Sequence, residues 1–279
     1  MTVFRAPSAI PPPLVPASDN GETNAASQME NQLLALLPSK DKRQLEALCQ
    51  PAQLALTQVL CQAGSPTQYV YFPVNAYISL VATRTGGTTG PSSLAAPQVA
   101  DLGVEVGMVG REGLLGAELV LGVATSPLQA IVQGPGLALR VAASAFKRQL
   151  SLSEPMRRHF LRYVYVLMAQ QATAATCLRF HQIGPRLARW LLMSQDRAHA
   201  DQFHMTQEFL ANMLGVRRVG VTAAASAMQK RGLISYRRGA LQVLDRIGLE
   251  AAACPCYAIG QDIHASVLQV QLFSGGAKS

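Results

Sequence analysis

The stretch MTQEFLANMLGVRRVGVTAAASAMQKRGLISYRRGALQVLD, from Met205 to Asp245, constrains the fold more than any other part of the chain. Thr206 suits an N-cap, and Glu208 in the first turn suits the positive end of a helix dipole. Phe209, Leu210, Met213 and Leu214 then give a short helix its apolar face. Gly215 stands where the chain must turn sharply, and Ala211 is small where two helices cross closely. Val221 packs a second helix back on the first. Ala211-x3-Gly215-x5-Val221 is the spacing of a helix-turn-helix.

Along the second helix Val221, Ala224, Ala225 and Met228 recur at i, i+3, i+4 and i+7 and form the buried face. The opposite face carries Val219, Thr222, Ala223 and Ser226, with Arg217 and Arg218 at its N-terminal end. Small residues there allow close approach to base edges, as a recognition helix in a major groove requires. Arg218 can grip guanine O6 and N7, Val219 and Ala223 can meet thymine methyls, and Thr222 and Ser226 can bond to bases or phosphate. Thr206 and Gln207, opening the first helix, complete the expected DNA-facing set. LISYRRGALQVLD reads as two short strands turning at Arg238-Gly239, a wing whose Arg237 and Arg238 touch phosphate. A helical bundle with solvated arginines is the alternative.

Charge placement agrees with that reading. Between Glu154 and Arg246 there are fourteen Lys or Arg against five Asp or Glu, while the rest of the chain holds ten against eleven. The net charge of +8 therefore resides in the C-terminal third, as a polyanion-binding surface or a solvated basic face. The apolar content of 49% in 279 residues allows two buried cores. No run of about 18 apolar residues lacks a charge, so no membrane span is expected. Residues 1–28 are broken by prolines and read as a disordered leader, and a cytoplasmic location is the expectation.

The five cysteines, Cys49, Cys61, Cys177, Cys254 and Cys256, are odd in number and irregular in spacing. A disulfide framework is not indicated. Cys254-Pro-Cys256 is the one close pair, but zinc sites usually combine C-x2-C with two more nearby ligands. Buried thiols and no metal are the expectation.

Three textures precede the helix-turn-helix. LLALLPSKDKRQLEALC suggests two short helices broken at Pro38. From about Leu54 to Val141, YVYFPVNAYISLVAT, VEVGMVG, LLGAELVLG and LQAIVQGPGLALRV read as strands at turn-spaced intervals, a compact β-roll or barrel. RTGGTTGPSSLAAPQVAD, from Arg84 to Asp101, reads as a surface loop between two of them. From Glu154, Phe160, Val164, Leu167, Gln171, Ala174 and Leu178 are spaced 4, 3, 4, 3, 4. That seam suits a helix paired with its twin in a homodimer, or one packed on its own domain. Pro155 fits its first turn, Gly184-Pro185 is expected to end it, and RLARWLLMSQDR forms the next helix.

This order of parts resembles the cyclic-AMP receptor/Fnr (Crp/Fnr) family of bacterial transcription regulators. The resemblance is carried by VYFPVNAYISL, VEVGMVGREGLLGAELVLG, RLARWLLMSQDR and TQEFLANMLGVRRVGVTAAASAMQKRGLIS, and covers roughly Leu33 to Tyr257. It implies an α+β chain with a cyclic-nucleotide-binding-like β-roll at 29–152, a dimerisation helix at 153–183 and a winged helix-turn-helix at 184–257. A C-terminal tail follows at 258–279. It also implies a homodimer on a palindromic site in double-stranded DNA, and contact with RNA polymerase. Arg218 corresponds to the family's usual first base-reading arginine. Val219 replaces the acidic reader and Ala223 the later basic one, which implies a different DNA site.

In the sensor, Ala117-Glu118 stands in for the Gly-Glu pair with which family members hold a cyclic nucleotide, and Leu128 and Gln129 occupy the Arg and Ser/Thr positions. No arginine lies between Arg111 and Arg140. A cyclic phosphate without a cation would leave a buried charge unpaired, which argues against cyclic AMP in the usual mode. Another effector, a redox or gas signal, or no ligand at all stay open. No catalytic constellation is present: the histidines form no H-E-x-x-H set, and there is no G-x-S-x-G or P-loop, so an enzyme is not expected. A winged helix that binds protein, or a module that only senses a ligand, are the rival functions.

Overall fold

The helices around Pro38 form as its ring dictates. In the computed structural model, which describes residues 30–83, 103–198 and 200–268, α1 (Gln32–Ala35) and α2 (Ser39–Glu46) flank Pro38, the N-cap of α2. Asn31 caps α1, and its buried amide donates 2.9 Å bonds to the carbonyls of Pro73 and Gly113, anchoring α1 to the β-roll. The leader, the Arg84–Asp101 loop and the end of the tail lie outside the described residues.

The roll consists of two antiparallel sheets. β1 (Gln50–Leu54), β7 (Gly136–Ala142) and β3 (Tyr69–Pro73) are ordered β1-β7-β3. β2 (Val59–Cys61), β6 (Gln129–Gly134), β4 (Tyr77–Ala82) and β5 (Val104–Val109) are ordered β2-β6-β4-β5. Leu54, Ile78, Val109, Ala130 and Val132 fill the space between them. β1 precedes the expected strand region. Its sequence QPAQL is polar, and it pairs only with β7, an edge position that tolerates Pro51.

LLGAELVLG, expected as a strand, forms one bridge at Leu115 to Tyr71 and then a short 3-10 helix, Ala117–Leu121. Gly116 at φ +101° and Gly122 at φ +79° bound it, and left-handed backbone cannot continue a strand. A Cβ on Gly116 would stand 3.1 Å from Val70 Cγ2. Leu114, Leu119 and Val120 are buried nonetheless.

α3 (Ala143–Leu152) leads to α4 (Glu154–Phe180), with Pro155 in its first turn. Ser153 caps α4, accepting from Met156 N–H and donating to Asp41 Oδ2 at 2.9 Å. Gly184-Pro185 does not end this helix. α4 stops at Phe180, and the pair lies in the first turn of α5 (Ile183–Ala198), where a missing N–H costs nothing.

The heptad seam faces inward at its start. Phe160 and Val164 are buried in the core of the roll, Phe160 with its ring 6.1 Å from Phe72 and 5.4 Å from Phe146. Leu167, Gln171 and Leu178 are half-buried and Ala174 is buried. The exposed apolar positions lie one residue further on, at Tyr165 and Met168, 60% and 63% exposed, followed by Ala172 and Ala175. Periodicity gives the spacing of a stripe but not which neighbour covers it.

Beyond α5 come β8 (Gln202–His204), α6 (Gln207–Met213), α7 (Arg218–Lys230), β9 (Ile234–Arg237), β10 (Ala240–Val243), α8 (Arg246–Ala252) and α9 (Cys256–Leu268). Much of the expected tail therefore belongs to α9, whose Ile263, Val267 and Leu268 pack with α4 into the roll's core. No helix among the described residues is long and apolar enough to cross a membrane.

Candidate DNA-binding surface

Thr206 caps α6 as its chemistry requires, its Oγ1 accepting from Phe209 N–H at 3.1 Å. The helix ends in a Schellman motif: Val216 N–H donates to Ala211 O at 2.9 Å and Gly215 N–H to Asn212 O at 3.0 Å. Gly215 takes φ +61°, and a Cβ there would lie 3.1 Å from Val104 Cγ2 of β5. Ala211 and Val221 are buried where α6 and α7 cross. The carbonyl of Leu214, next to the turn, accepts from Nη2 of buried Arg186 on α5. Leu187, Trp190 and Leu191 of α5 support both helices from beneath, in a core continuous with Val81, Met108 and Ile131 of the roll.

With Val221, Ala225 and Met228 buried, the helical period turns Arg218, Val219, Thr222, Ala223 and Ser226 to solvent, and all five are exposed. Val219 is 72% exposed, an apolar side chain on the outer face with no intramolecular cover. Arg217, the N-cap of α7, is exposed beside them. Gln207 is half-buried and accepts from Thr222 Oγ1 at 2.7 Å, which joins the start of α6 to the outer face of α7. Thr206 is exposed at the same end.

The wing is a three-stranded sheet ordered β8-β10-β9. Arg238 at φ +50° and Gly239 at φ +85° make the two-residue turn between β9 and β10, a type I′ pattern whose twist matches the strands. Arg237 and Arg238 are exposed at its tip. The third strand, β8, carries little signal in the sequence: QFH is only three residues long and pairs with β10. The structure thus gathers Thr206, Gln207, the α7 face and the wing arginines into one domain whose outer surface is small-residued and basic. Such a surface can approach a duplex closely and neutralise phosphate.

The expected ligand positions lie in the roll. Glu118, in the 3-10 helix, is half-buried and accepts from Thr67 Oγ1. Leu128 is half-buried, and its backbone N–H and C=O both bond to Ser126 Oγ, at 3.2 and 2.9 Å. Gln129 is buried and donates to Gln62 Oε1 at 2.7 Å. Arg140, the next arginine after Arg111 in sequence, has its guanidinium 4.9 Å from the centre of the Tyr69 ring. The polar groups of Gln129 and Leu128 are met within the roll, and none of the three positions supplies a cation.

The family described as Crp-like helix-turn-helix domain matches residues 185–252. No curated protein matches the chain. Among solved structures, FixK2 from Bradyrhizobium japonicum is similar with a TM-score of 0.57 and 15% identity, over 74% of this chain and 98% of that one. The c-di-GMP responsive global regulator CLP from Xanthomonas campestris gives 0.58 and 14%, over 75% and 100%. A CRP-family transcriptional regulator from Thermus thermophilus gives 0.55 and 16%, over 72% and 96%. The chain thus carries a Crp-like helix-turn-helix domain at residues 185–252, and its fold of β-roll, long helix and winged head is similar to that of these solved Crp/Fnr-type regulators.

Proposed function

We propose that the chain is a homodimeric, sequence-specific DNA-binding transcription regulator whose reading residues are Arg218, Val219, Thr222, Ala223 and Ser226. Arg217, Arg237 and Arg238 hold phosphate, and Thr206 and Gln207 flank the groove. The observation that carries this reading is the outer face of α7: small, exposed, and bracketed by arginine pairs at its start and at the wing tip. Ordinary surface helices carry long charged residues along such a face, whereas close approach to base edges needs short ones.

The dimer pairs α4 with α4 of a second copy through Tyr165, Met168, Ala172 and Ala175, the apolar stripe that the chain leaves exposed. The heptad spacing of the inner seam holds for this stripe too. Two heads held twofold meet two half-sites, so a small rotation at α4 changes affinity strongly. The roll communicates with the head through direct packing, Gly215 against Val104 and Arg197 against Glu112. Its effector is not cyclic AMP, since Glu118, Leu128 and Gln129 offer no partner for a cyclic phosphate. Contact with RNA polymerase completes the role.

Selection from a pool of random duplexes tests the reading. Enrichment of a two-half-site sequence, with affinity falling steeply as salt rises, is the expected result. Recovery of no motif from the pool at low salt overturns it. Titration calorimetry with cyclic AMP is expected to give no heat of tight binding.

A further inference from the structure

Three cysteines and a histidine that are far apart in sequence converge where the long helix meets the winged head. Cys177 and His181 sit four residues apart at the C-terminal end of α4, and Cys254 and Cys256 lie between α8 and the first turn of α9. The four ligand atoms all lie within 4.8 Å of one another. Cys177 Sγ is 3.4 Å from Cys254 Sγ, and Cys256 Sγ is 3.5 Å from His181 Nδ1. The three thiols are buried and pack as a group of their own, apart from the apolar cores. A site that only had to be filled would hold aliphatic side chains; one built from three sulfurs and an imidazole has the donor set of a soft metal centre.

We propose that Cys177, His181, Cys254 and Cys256 bind a single zinc ion in a tetrahedral Cys3His site. With zinc–sulfur bonds of about 2.3 Å, tetrahedral geometry separates ligand sulfurs by roughly 3.8 Å. The 3.4 Å between Cys177 and Cys254 Sγ and the outer spread of 4.8 Å bracket that value, so small side-chain rotations bring the four atoms around one ion. An iron–sulfur cluster spreads its ligands over several iron atoms and does not fit so tight a set. Charge is balanced locally. Three thiolates and one neutral imidazole around zinc carry a net negative charge, and Arg186 and Arg189 of α5 act on these sulfurs. Arg189 Nε is buried without a hydrogen-bond partner among the described residues, a donor suited to a ligating thiolate. His181 is half-buried, so the group of four is not wholly closed to solvent.

The place gives the ion its effect. It fastens the end of the long helix to the segment leaving the winged head, where Cys254 N–H already donates to Pro185 O at 3.3 Å. Arg186, beside the sulfurs, also holds the Leu214 carbonyl at the helix-turn-helix turn. Zinc therefore sets the angle between stalk and reading head. The corresponding signal in the sequence is Cys177-x3-His181, a helical i, i+4 pair that Cys254-Pro-Cys256 joins only after folding.

Full-length protein, purified with reductant and without chelator, is expected to carry about one zinc per chain by elemental analysis. Cys177→Ser, Cys256→Ser and His181→Ala are each expected to lose most of it, while Cys49→Ser keeps it. Stripped wild type, titrated with cobalt(II), is expected to develop thiolate charge-transfer absorption and the visible bands of tetrahedral cobalt, saturating at one equivalent. That titration needs no variant to fold. Absence of those bands, cobalt uptake unchanged in Cys256→Ser, iron with acid-labile sulfide, or a Cys177–Cys254 disulfide in reductant-purified protein would each overturn the proposal.

Discussion

Arg197 of α5 and Glu112 of the roll, 85 residues apart, form an ion pair with both side chains nearly closed to solvent. Nη2 and Nε stand 2.7 and 2.8 Å from the same carboxylate oxygen, at 4% and 3% exposure. Burial raises the Glu112 carboxyl, but the charges of Arg197 and His264 outweigh it and hold the group below the usual carboxylate range. A depressed folded pKa supplies stability at neutral pH that is lost as pH falls below the ordinary carboxylate value. Glu112→Gln leaves the guanidinium buried and uncompensated and is expected to cost about 3–5 kcal/mol in urea unfolding. Glu112→Leu combined with Arg197→Met is expected to cost clearly less than the single change. Equal costs would show that the pair is not the unit that matters.

Glu105 on β5 should give a pH dependence of opposite sign. Burial raises its carboxyl from 4.5 to about 7, against the pull of Ser79 and nearby arginines. Ser79 Oγ lies 2.6 Å from Glu105 Oε2 and 2.5 Å from Gln133 Oε1, and one hydroxyl proton cannot serve both. A protonated Glu105 donating to Ser79, which donates to Gln133, satisfies all three. Since the folded state binds this proton more tightly, stability falls as pH rises from about 4.5 to about 7. Denaturation of wild type and Glu105→Gln across that window checks it: the difference between their pH profiles is expected to contain this slope, and parallel profiles would refute it.

On the proposed function, reading and holding DNA are expected to separate by mutation. Arg218→Ala is expected to relax base choice at one position of each half-site by about 1–3 kcal/mol while salt-dependent background binding survives. Arg237→Ala and Arg238→Ala are expected to weaken all sequences alike and to reduce the slope of log affinity against log salt by about 0.9 for each phosphate no longer neutralised. Fluorescence anisotropy on the selected site and on a scrambled duplex distinguishes them.

The two faces of α4 should respond oppositely. Met168→Glu or Tyr165→Glu, on the exposed stripe, is expected to leave a folded monomer by light scattering. Phe160→Ala, beneath Phe72 and Phe146, is expected to cost the fold itself about 3–5 kcal/mol. A dimer unchanged by Met168→Glu would place the interface elsewhere.

Local chemistry is legible in the winged head because each requirement there falls on neighbours in sequence. Gly215 must turn, Ala211 and Val221 must cross closely, and Arg238-Gly239 must make a tight hairpin; the structure meets all of these. In the roll the same reasoning fails at LLGAELVLG, where apolar character suggests extended chain although Gly116 and Gly122 interrupt it. It also misses β1, whose edge position asks for no apolar alternation.

The amino-acid order by itself determined the succession of roll, long helix and winged head, and the outer face of α7, because periodicity and turn chemistry act over a few residues. Which side of α4 the core covers, the pairing of Glu112 with Arg197, and the meeting of Cys177 and His181 with Cys254 and Cys256 were decided only by tertiary packing. Each joins segments tens of residues apart, and no local rule specifies how two distant surfaces come to share a volume.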